Sequence, residues 1–509
     1  MRCQLKDPWR RLTGRQVLCL LLCVAIGLKV ALLLTSQSLA DGDEAVEGVM
    51  AVHVLERGVH PIYPYGVRYG AGTGVEVHLA ALLFGVFGVS DTALKAVGLL
   101  LWLLCLVLLY AVAGARYGPS TALLAAALYG FSPQGAQWSL KVAGGHQVAV
   151  LGCLAILWVR ERKLAPALAA ALIPLAAFAH PIALPLAGYL ALDAVVRADG
   201  LRRRLVFLAW LVGFSLLAMA LLWPGEGSVW NPAAARFQPG AILAALPRLA
   251  VALFTPNLNS RSLPPPAYLL AAAVWLVGFA LATVFAARHD RPLLGLILSA
   301  AAVVVLVDPA LLVPRHLLVL YPLSCLALAR VSSALPSRWQ VGALAGLLLS
   351  GGLIQANEMR SPCVYGPAPQ DVGLRREQVH AMVRELESRG VRHVYCLDPM
   401  LQWNILFESR ERVLARWRDP RDRLPEYPRR VDAARRAGQP TAVIYELESP
   451  GPLGEPCFAI AWNPNPALLE QVFAPAPAVE SSRTEARPPL PYGRGAAPAS
   501  GNATPPGPR

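Results

Sequence analysis

Charge is what this sequence has least of. Only 15% of its 509 residues are Asp, Glu, Lys or Arg, against about a quarter in an ordinary soluble domain, which excludes a chain whose whole surface is kept in water. The mean hydropathy of +0.47 agrees. The nine cysteines include no C-x-x-C pair, so the usual spacing of a structural zinc site is missing. Cys19, Cys23, Cys105, Cys153 and Cys325 fall in apolar runs, which leaves Cys363, Cys396 and Cys457 as the set among which one disulfide could form. There is no G-x-x-x-x-G-K-[ST] loop to hold a nucleotide, and no internal repeat. The net charge of +14 raises the question of nucleic acid, but many arginines sit in short loops between apolar runs, where they set membrane orientation. No nucleic-acid partner is expected.

What the chain does have is apolar runs. The basic segment MRCQLKDPWRRLTGR leads into Gln16 to Leu34, long enough as a helix to cross roughly 30 Å of hydrocarbon. A cleaved signal peptide is the competing reading, but no convincing small-x-small site precedes Ser36. Keeping the Lys- and Arg-rich loops inside gives about eleven spans, near 16–34, 94–115, 121–132, 147–159, 164–179, 182–196, 205–223, 268–287, 293–307, 312–330 and 341–354. Loop 36–93, the segment around Lys141 and His146, His180, loop 224–262, Arg315 and everything after about residue 356 then share one extracytoplasmic face. The wealth of Ala, Arg, Leu and Pro is compatible with a bacterial source, so a multi-pass protein of the bacterial inner (plasma) membrane is expected.

Three regions follow: a transmembrane domain over 1–356, a soluble α/β domain over 357–473, and a Pro/Ala-rich tail over 474–509 that is expected to be disordered. Within the first outer loop, 36–93, segments 44–57 and 75–89 read as interfacial helices. In the soluble domain, helices are predicted over 376–389 and 429–437, with strands at 391–395 and 442–445.

The polar residues gather in the outer loops. Four carboxylates crowd into one short stretch: Asp41, Asp43, Glu44 and Glu47. Asp41 and Glu44 fit a D-x-x-E capping box, and Glu47 suits the wet face of an interfacial helix. Four acids beside a bilayer repel one another unless a cation or substrate is near, and Asp43 has no structural task. The Tyr- and Gly-rich segment Tyr63 to His78 could stack on a sugar and offer Glu76 as acceptor or base, or it could be an ordinary interfacial loop. Lys141 and His146 lie beside glycines, and no two histidines stand at metal-ligand spacing. Arg315 could anchor a helix end or hold a phosphate through its fork of donors.

In order, these motifs resemble the GT-C superfamily of membrane glycosyltransferases, in the bacterial branch related to protein O-mannosyltransferases and the lipid A aminoarabinose transferase. Asp43-Glu44-Ala-Val-Glu-Gly-Val-Met50 is similar to the branch's D-E-A-x-x-G-x-M, and Tyr65-Gly66-x-x-Tyr69 with Gly72 and Glu76 to its Y-G-Q-x-Y-x-G-x-x-E. Ser132-Pro133, Ser139 to Lys141 and Gly144 to His146 look like its second outer loop, Pro314 to Leu318 like its P-R-Y-L-L, and Phe407-Glu408-Ser409 like its F-E-S-G-E. Val67 replaces a frequent Gln, two extra residues separate Tyr69 from Glu76, and His146 with Gln147 replaces an aromatic and acidic pairing. These departures bear on substrate identity more than on reaction class.

The resemblance implies an α-helical polytopic membrane protein of GT-C type, with about eleven spans and a small C-terminal extracytoplasmic α/β domain. It implies transfer of a sugar from a polyprenyl-phosphate donor to a glycan, lipid or protein acceptor, with inversion. Asp43 would be the general base, with Glu44, Tyr65, Tyr69, Glu76, Lys141, His146 and Arg315 binding substrate. A divalent cation near the acids is compatible with this, since some relatives use one. The rival is a transporter or lipid flippase, which would place ionisable residues within spans or break its helices in two related halves. Here the polar residues gather in outer loops, although His180-Pro181 and Asp308-Pro309 interrupt apolar regions.

Overall fold

A computed structural model of the protein describes residues 14–35, 41–67, 69–222, 266–305, 313–360, 376–418, 422–446 and 458–465, with scattered positions between 240 and 254 and at 307, 469, 472 and 473. Each of the predicted spans contains a helix. In chain order the helices are α1 (Gly14–Thr35), α2 (Gly42–Arg57), α3 (Gly72–Phe87), α4 (Asp91–Tyr117), α5 (Pro119–Phe131), the single turn α6 (Gly135–Trp138), α7 (His146–Glu161), α8 (Pro166–Ala179), α9 (Leu184–Arg197) and α10 (Leu201–Leu222). They continue with α11 (Pro266–His289), α12 (Arg291–Ala301), α13 (Leu320–Ala334) and α14 (Ser337–Arg360). Among the described residues, five stretches are long and apolar enough to cross a membrane: Gln16–Thr35, Asp91–Tyr117, Leu201–Leu222, Tyr268–His289 and Trp339–Ala356. This is a membrane protein.

Local chemistry sets the helix ends. The side chain of Asp41 accepts from Glu44 N, the Glu44 carboxylate accepts from Asp41 N, and α2 stops at Gly58 in the left-handed region, φ +64°. Ser90 caps α4 through its side-chain oxygen, which accepts from Ala93 N, and Pro119 begins α5 where its missing N–H costs nothing.

The C-terminal unit comprises α15 (Arg376–Ser388), β1 (His393–Cys396), α16 (Pro399–Glu408), β2 (Leu414–Trp417), α17 (Glu426–Arg436), β3 (Thr441–Glu446) and β4 (Phe458–Trp462). The strand order is β2-β1-β3-β4. β1 runs parallel to β2 and β3, and β4 is antiparallel to β3. The sequence reading anticipated α15, α17, β1 and β3, and missed α16, β2 and β4. Arg416, fully buried on β2, donates to Asp432 of α17 at 2.6 Å and 2.7 Å, tying strand to helix. Cys396 is a buried free thiol. Cys363, Cys457, Asp308-Pro309 and the 474–509 tail lie outside the described residues.

Two cores divide the protein. One fills the helical bundle around Trp102, Tyr129, Leu154, Leu186, Trp275 and Leu326. The other joins Val46, Met50, Val77, Phe84 and Leu94 of α2 to α4 with Tyr395, Leu401, Phe407, Val431 and Ile444 of the C-terminal unit. Glu44 and Glu47 of α2, expected at an interface, are 0% and 1% exposed. The helical period was read correctly, but α3, α4 and the loop before α7 cover the side of Glu44 and Glu47, and the α/β unit packs on the helix at Gly48.

Gly48 shows how close that cover is. A Cβ there would lie 2.6 Å from the Phe407 ring, which itself stacks on Phe84. The glycine of the D-E-A-x-x-G stretch and the phenylalanine of the F-E-S stretch are thus packing partners. Gly48→Val should destabilise the protein by about 2 kcal/mol, because overpacking a filled core outweighs the few tenths regained in helix propensity. A fall in the thermal unfolding midpoint in detergent would show it, and an unchanged midpoint would refute the contact.

Candidate active site

The acids of α2 and α3 organise the loop that precedes α7. Glu44 Oε1 accepts from Val142 N at 3.2 Å, and its Oε2 takes Lys95 Nζ at 3.4 Å and Asp41 N at 3.0 Å. Glu47 Oε1 accepts from Gly144 N at 2.5 Å, and Glu76 Oε2 from Gly145 N at 2.9 Å. Three buried carboxylates thus satisfy amides of one loop that would otherwise be orphaned. Lys141 Nζ, in the same loop, donates to Asp41 Oδ2.

Glu47 and Glu76 share a dry site. Burial and then the charge of Glu76 push Glu47 well above the ordinary carboxylate range, and burial lifts Glu76 to about 7. Two carboxylates in that setting hold a proton between them.

Asp43 belongs to none of this scaffolding. Its side chain is 36% exposed, and its Oδ1 accepts from Arg423 Nη2 of the C-terminal unit at 2.6 Å. Burial alone would raise its pKa, but the charges of Arg423, then Arg315, and finally Lys141 outweigh it and hold the carboxyl at about 2. Asp43, expected from the sequence to have no structural task, thus forms an ion pair with the C-terminal unit. Arg423 was missed because it ends the run Arg418-Asp-Pro-Arg-Asp-Arg423, whose alternating charges read as an ordinary solvated surface.

The remaining candidates converge around the same loop. His146 Nδ1 donates to Ala143 O at 2.7 Å, which fixes the neutral tautomer and leaves Nε2 as a buried acceptor with no hydrogen-bond partner among the described residues. Its ring stacks on His180 at 3.8 Å between centroids, and Tyr69 meets His180 edge-on at 5.8 Å. Burial first, then His146, His316 and Arg315, push His180 well below the usual imidazole range. Arg315 stands in a short 3-10 turn, Pro314–Leu317. Tyr65 lies to one side, its hydroxyl 2.6 Å from His53 Nδ1; His53 Nε2 lies 2.9 Å from Glu411 of the C-terminal unit.

The structure therefore brings Asp43, Lys141 and Arg315 into one electrostatic site and gathers Tyr69 with His146 beside Arg315. Glu44 and Glu76 are engaged in holding backbone, and Tyr65 is engaged in the joint with the C-terminal unit. Among the described residues no three His, Cys, Asp or Glu side chains converge so as to hold a metal ion.

No protein-family profile and no curated protein matches the chain. Its three-dimensional form does find counterparts among solved structures, at sequence identities that show a shared fold. One counterpart is ArnT from Cupriavidus metallidurans. Its crystal structure bound to undecaprenyl phosphate superposes with a TM-score of 0.57 at 15% identity, covering 85% of this chain and 94% of that one. The apo form gives 0.55, also at 15% identity, over 84% and 92%. The Archaeoglobus fulgidus oligosaccharyltransferase, in its apo form, is more distant at 0.48 and 13% identity, over 86% and 70%.

Proposed function

We propose that this protein is a glycosyltransferase of the bacterial plasma membrane that moves a sugar from a polyprenyl-phosphate donor to a hydroxyl on an extracytoplasmic acceptor, inverting the anomeric carbon. The observation that carries the reading is the setting of Asp43: a partly exposed carboxylate, kept ionised by three cations, on a fold shared with a protein crystallised with undecaprenyl phosphate.

In the reaction the acceptor oxygen attacks the anomeric carbon and the bond from that carbon to the phosphate oxygen breaks, leaving its electron pair on the phosphate. The hydroxyl proton passes to Asp43, which needs to stand within hydrogen-bond reach. Arg315, with Lys141 nearby, offsets the charge growing on the departing phosphate. His146 Nε2 can accept from a sugar hydroxyl, and Tyr69 offers a face on which a sugar ring can stack. Glu44 and Glu76 act on substrate through the loop they hold, and Tyr65 through the joint it forms with the C-terminal unit. That unit, read as the extracytoplasmic domain over 357–473, lies over α2.

The test is incubation of the purified full-length protein in lipid nanodiscs with a polyprenyl-phosphate sugar carrying a radiolabel and with cell-envelope acceptors. Label should move to the acceptor while free polyprenyl phosphate accumulates. In sealed vesicles, intact donor appearing on the opposite leaflet with no cleavage would support a flippase instead.

A further inference from the structure

The C-terminal unit grips both ends of α2. At the first turn Arg423 donates to Asp43 at 2.6 Å. At the last, Glu411 meets His53 at 2.9 Å and pairs with Arg57, while Tyr427 donates to its other oxygen at 2.5 Å. Glu411 and its neighbour Arg410 both adopt left-handed backbone, φ +58° and +49°, a conformation that costs a non-glycine residue roughly 1–2 kcal/mol and persists only where the surroundings demand it. Between these grips Phe407 packs on Gly48.

The approach of Arg423 is also built into the first loop. Gly66 sits at φ +70°, and a Cβ there would lie 2.8 Å from Arg423 Cα. A side chain at position 66 would push the arginine's backbone away from Asp43. The arginine takes Oδ1, and among the described residues Oδ2 accepts no hydrogen bond. An acceptor hydroxyl would find one oxygen anchored by Arg423 and the other accepting no hydrogen bond from the described residues.

We infer that the C-terminal unit completes the active site, with Arg423 as a positioning residue that fixes the Asp43 carboxylate in its orientation and charge state. This goes beyond a tether: the soluble unit decides where the base stands. The inference rests on Asp43 being the acceptor base, and one arm of its test does not depend on transfer.

The groups facing Asp43 are Arg423 from the C-terminal unit, Arg315 from the 3-10 turn and Lys141 from the loop before α7, with Asp41 and Glu47 on its own segment. Arg423 is the strongest of the charges that oppose burial, so the Asp43 pKa should rise when it is removed. The first arm is an infrared difference spectrum, full-length protein minus its Asp43→Asn variant, at about pH 3.5, just below the ordinary aspartate value. With Arg423 present the Asp43 signal should be that of an ionised carboxylate, and in Arg423→Gln that of a protonated carboxyl. An ionised signal in both overturns the inference, whatever the transfer assay shows.

The second arm is kinetic. Arg423→Gln should lower kcat by about 10- to 100-fold, as expected for a misplaced catalytic group. KM should be nearly unchanged and the acid limb of the pH profile should move upward. Arg423→Lys should restore the acid limb and only part of kcat, since an ammonium lacks the planar fork. An unchanged kcat would make Arg423 a docking contact only, and a raised kcat would make it a lock; either result refutes positioning. If Arg423→Gln fails to fold, Arg423→Lys decides by the same kcat criterion. Absence of transfer in the unmodified protein, with the infrared result as expected, would sink the proposed reaction and leave the Arg423–Asp43 assignment standing.

Discussion

Asp43→Asn is expected to leave the protein folded and to lower sugar transfer by about a thousandfold or more, toward the upper end of what losing a general base costs. The substitution keeps the side chain's shape and removes its charge. Its effect on folding should be small: the partners Arg423 and Asp43 are 22% and 36% exposed, and ion pairs that reach solvent contribute at most about 1 kcal/mol. The measurement is the initial rate of label transfer beside the thermal midpoint of the same preparation. A variant that stays folded and keeps a tenth of the rate or more would remove Asp43 from the role of base.

The same residue sets an acid limb. Burial raises its pKa, but Arg423 and Arg315 bring it down to about 2, so the basic form is present at neutral pH and is lost only as pH falls through that value. Transfer should therefore show no acid loss from this group in the ordinary carboxylate range near pH 4. So acidic a carboxyl is a weak proton acceptor. It suffices if the hydroxyl gives up its proton late, after bonding to an oxocarbenium-like carbon has made it acidic. An acid limb near pH 4 in the unmodified protein would contradict the arrangement of cations around Asp43.

Arg315→Gln should cost about 100- to 1,000-fold in kcat, the scale observed when a preorganised donor to developing charge is removed. Arg315 lies 272 positions from Asp43 in the sequence, 315 less 43, yet its charge is felt at Asp43, His146 and His180. Arg315→Lys should recover part of the loss, because it returns the charge without the bidentate geometry. If Arg315 only anchors a helix end, both variants should turn over at the unmodified rate with a lower thermal midpoint.

The elements of this protein were far more legible than its site. Apolar runs of helical length, Pro119 at the start of α5 and the Asp41–Glu44 capping box are local signals, and each corresponds to a helix or a cap in the structure. The short β2 and β4 escaped because four or five residues carry too little period to register.

The acids were the harder problem. Capping by Asp41 and Glu44 was readable because both partners lie within one turn. The further partners of these acids lie elsewhere: Lys95 is 51 positions from Glu44, Val142 is 98, and Arg423 is 380 from Asp43. Glu47 was placed in water by its position on α2, and the loop before α7 with Thr73 and Glu76 of α3 placed it in a dry core.

From sequence alone, then, came the membrane, the order of helices and the cluster of acids at the head of α2, since hydropathy, caps and helical period act over a few residues. Which of those acids is buried and which one faces an arginine was decided only by the tertiary structure. Charge and burial depend on neighbours in space, and this chain brings those neighbours from opposite ends of its length.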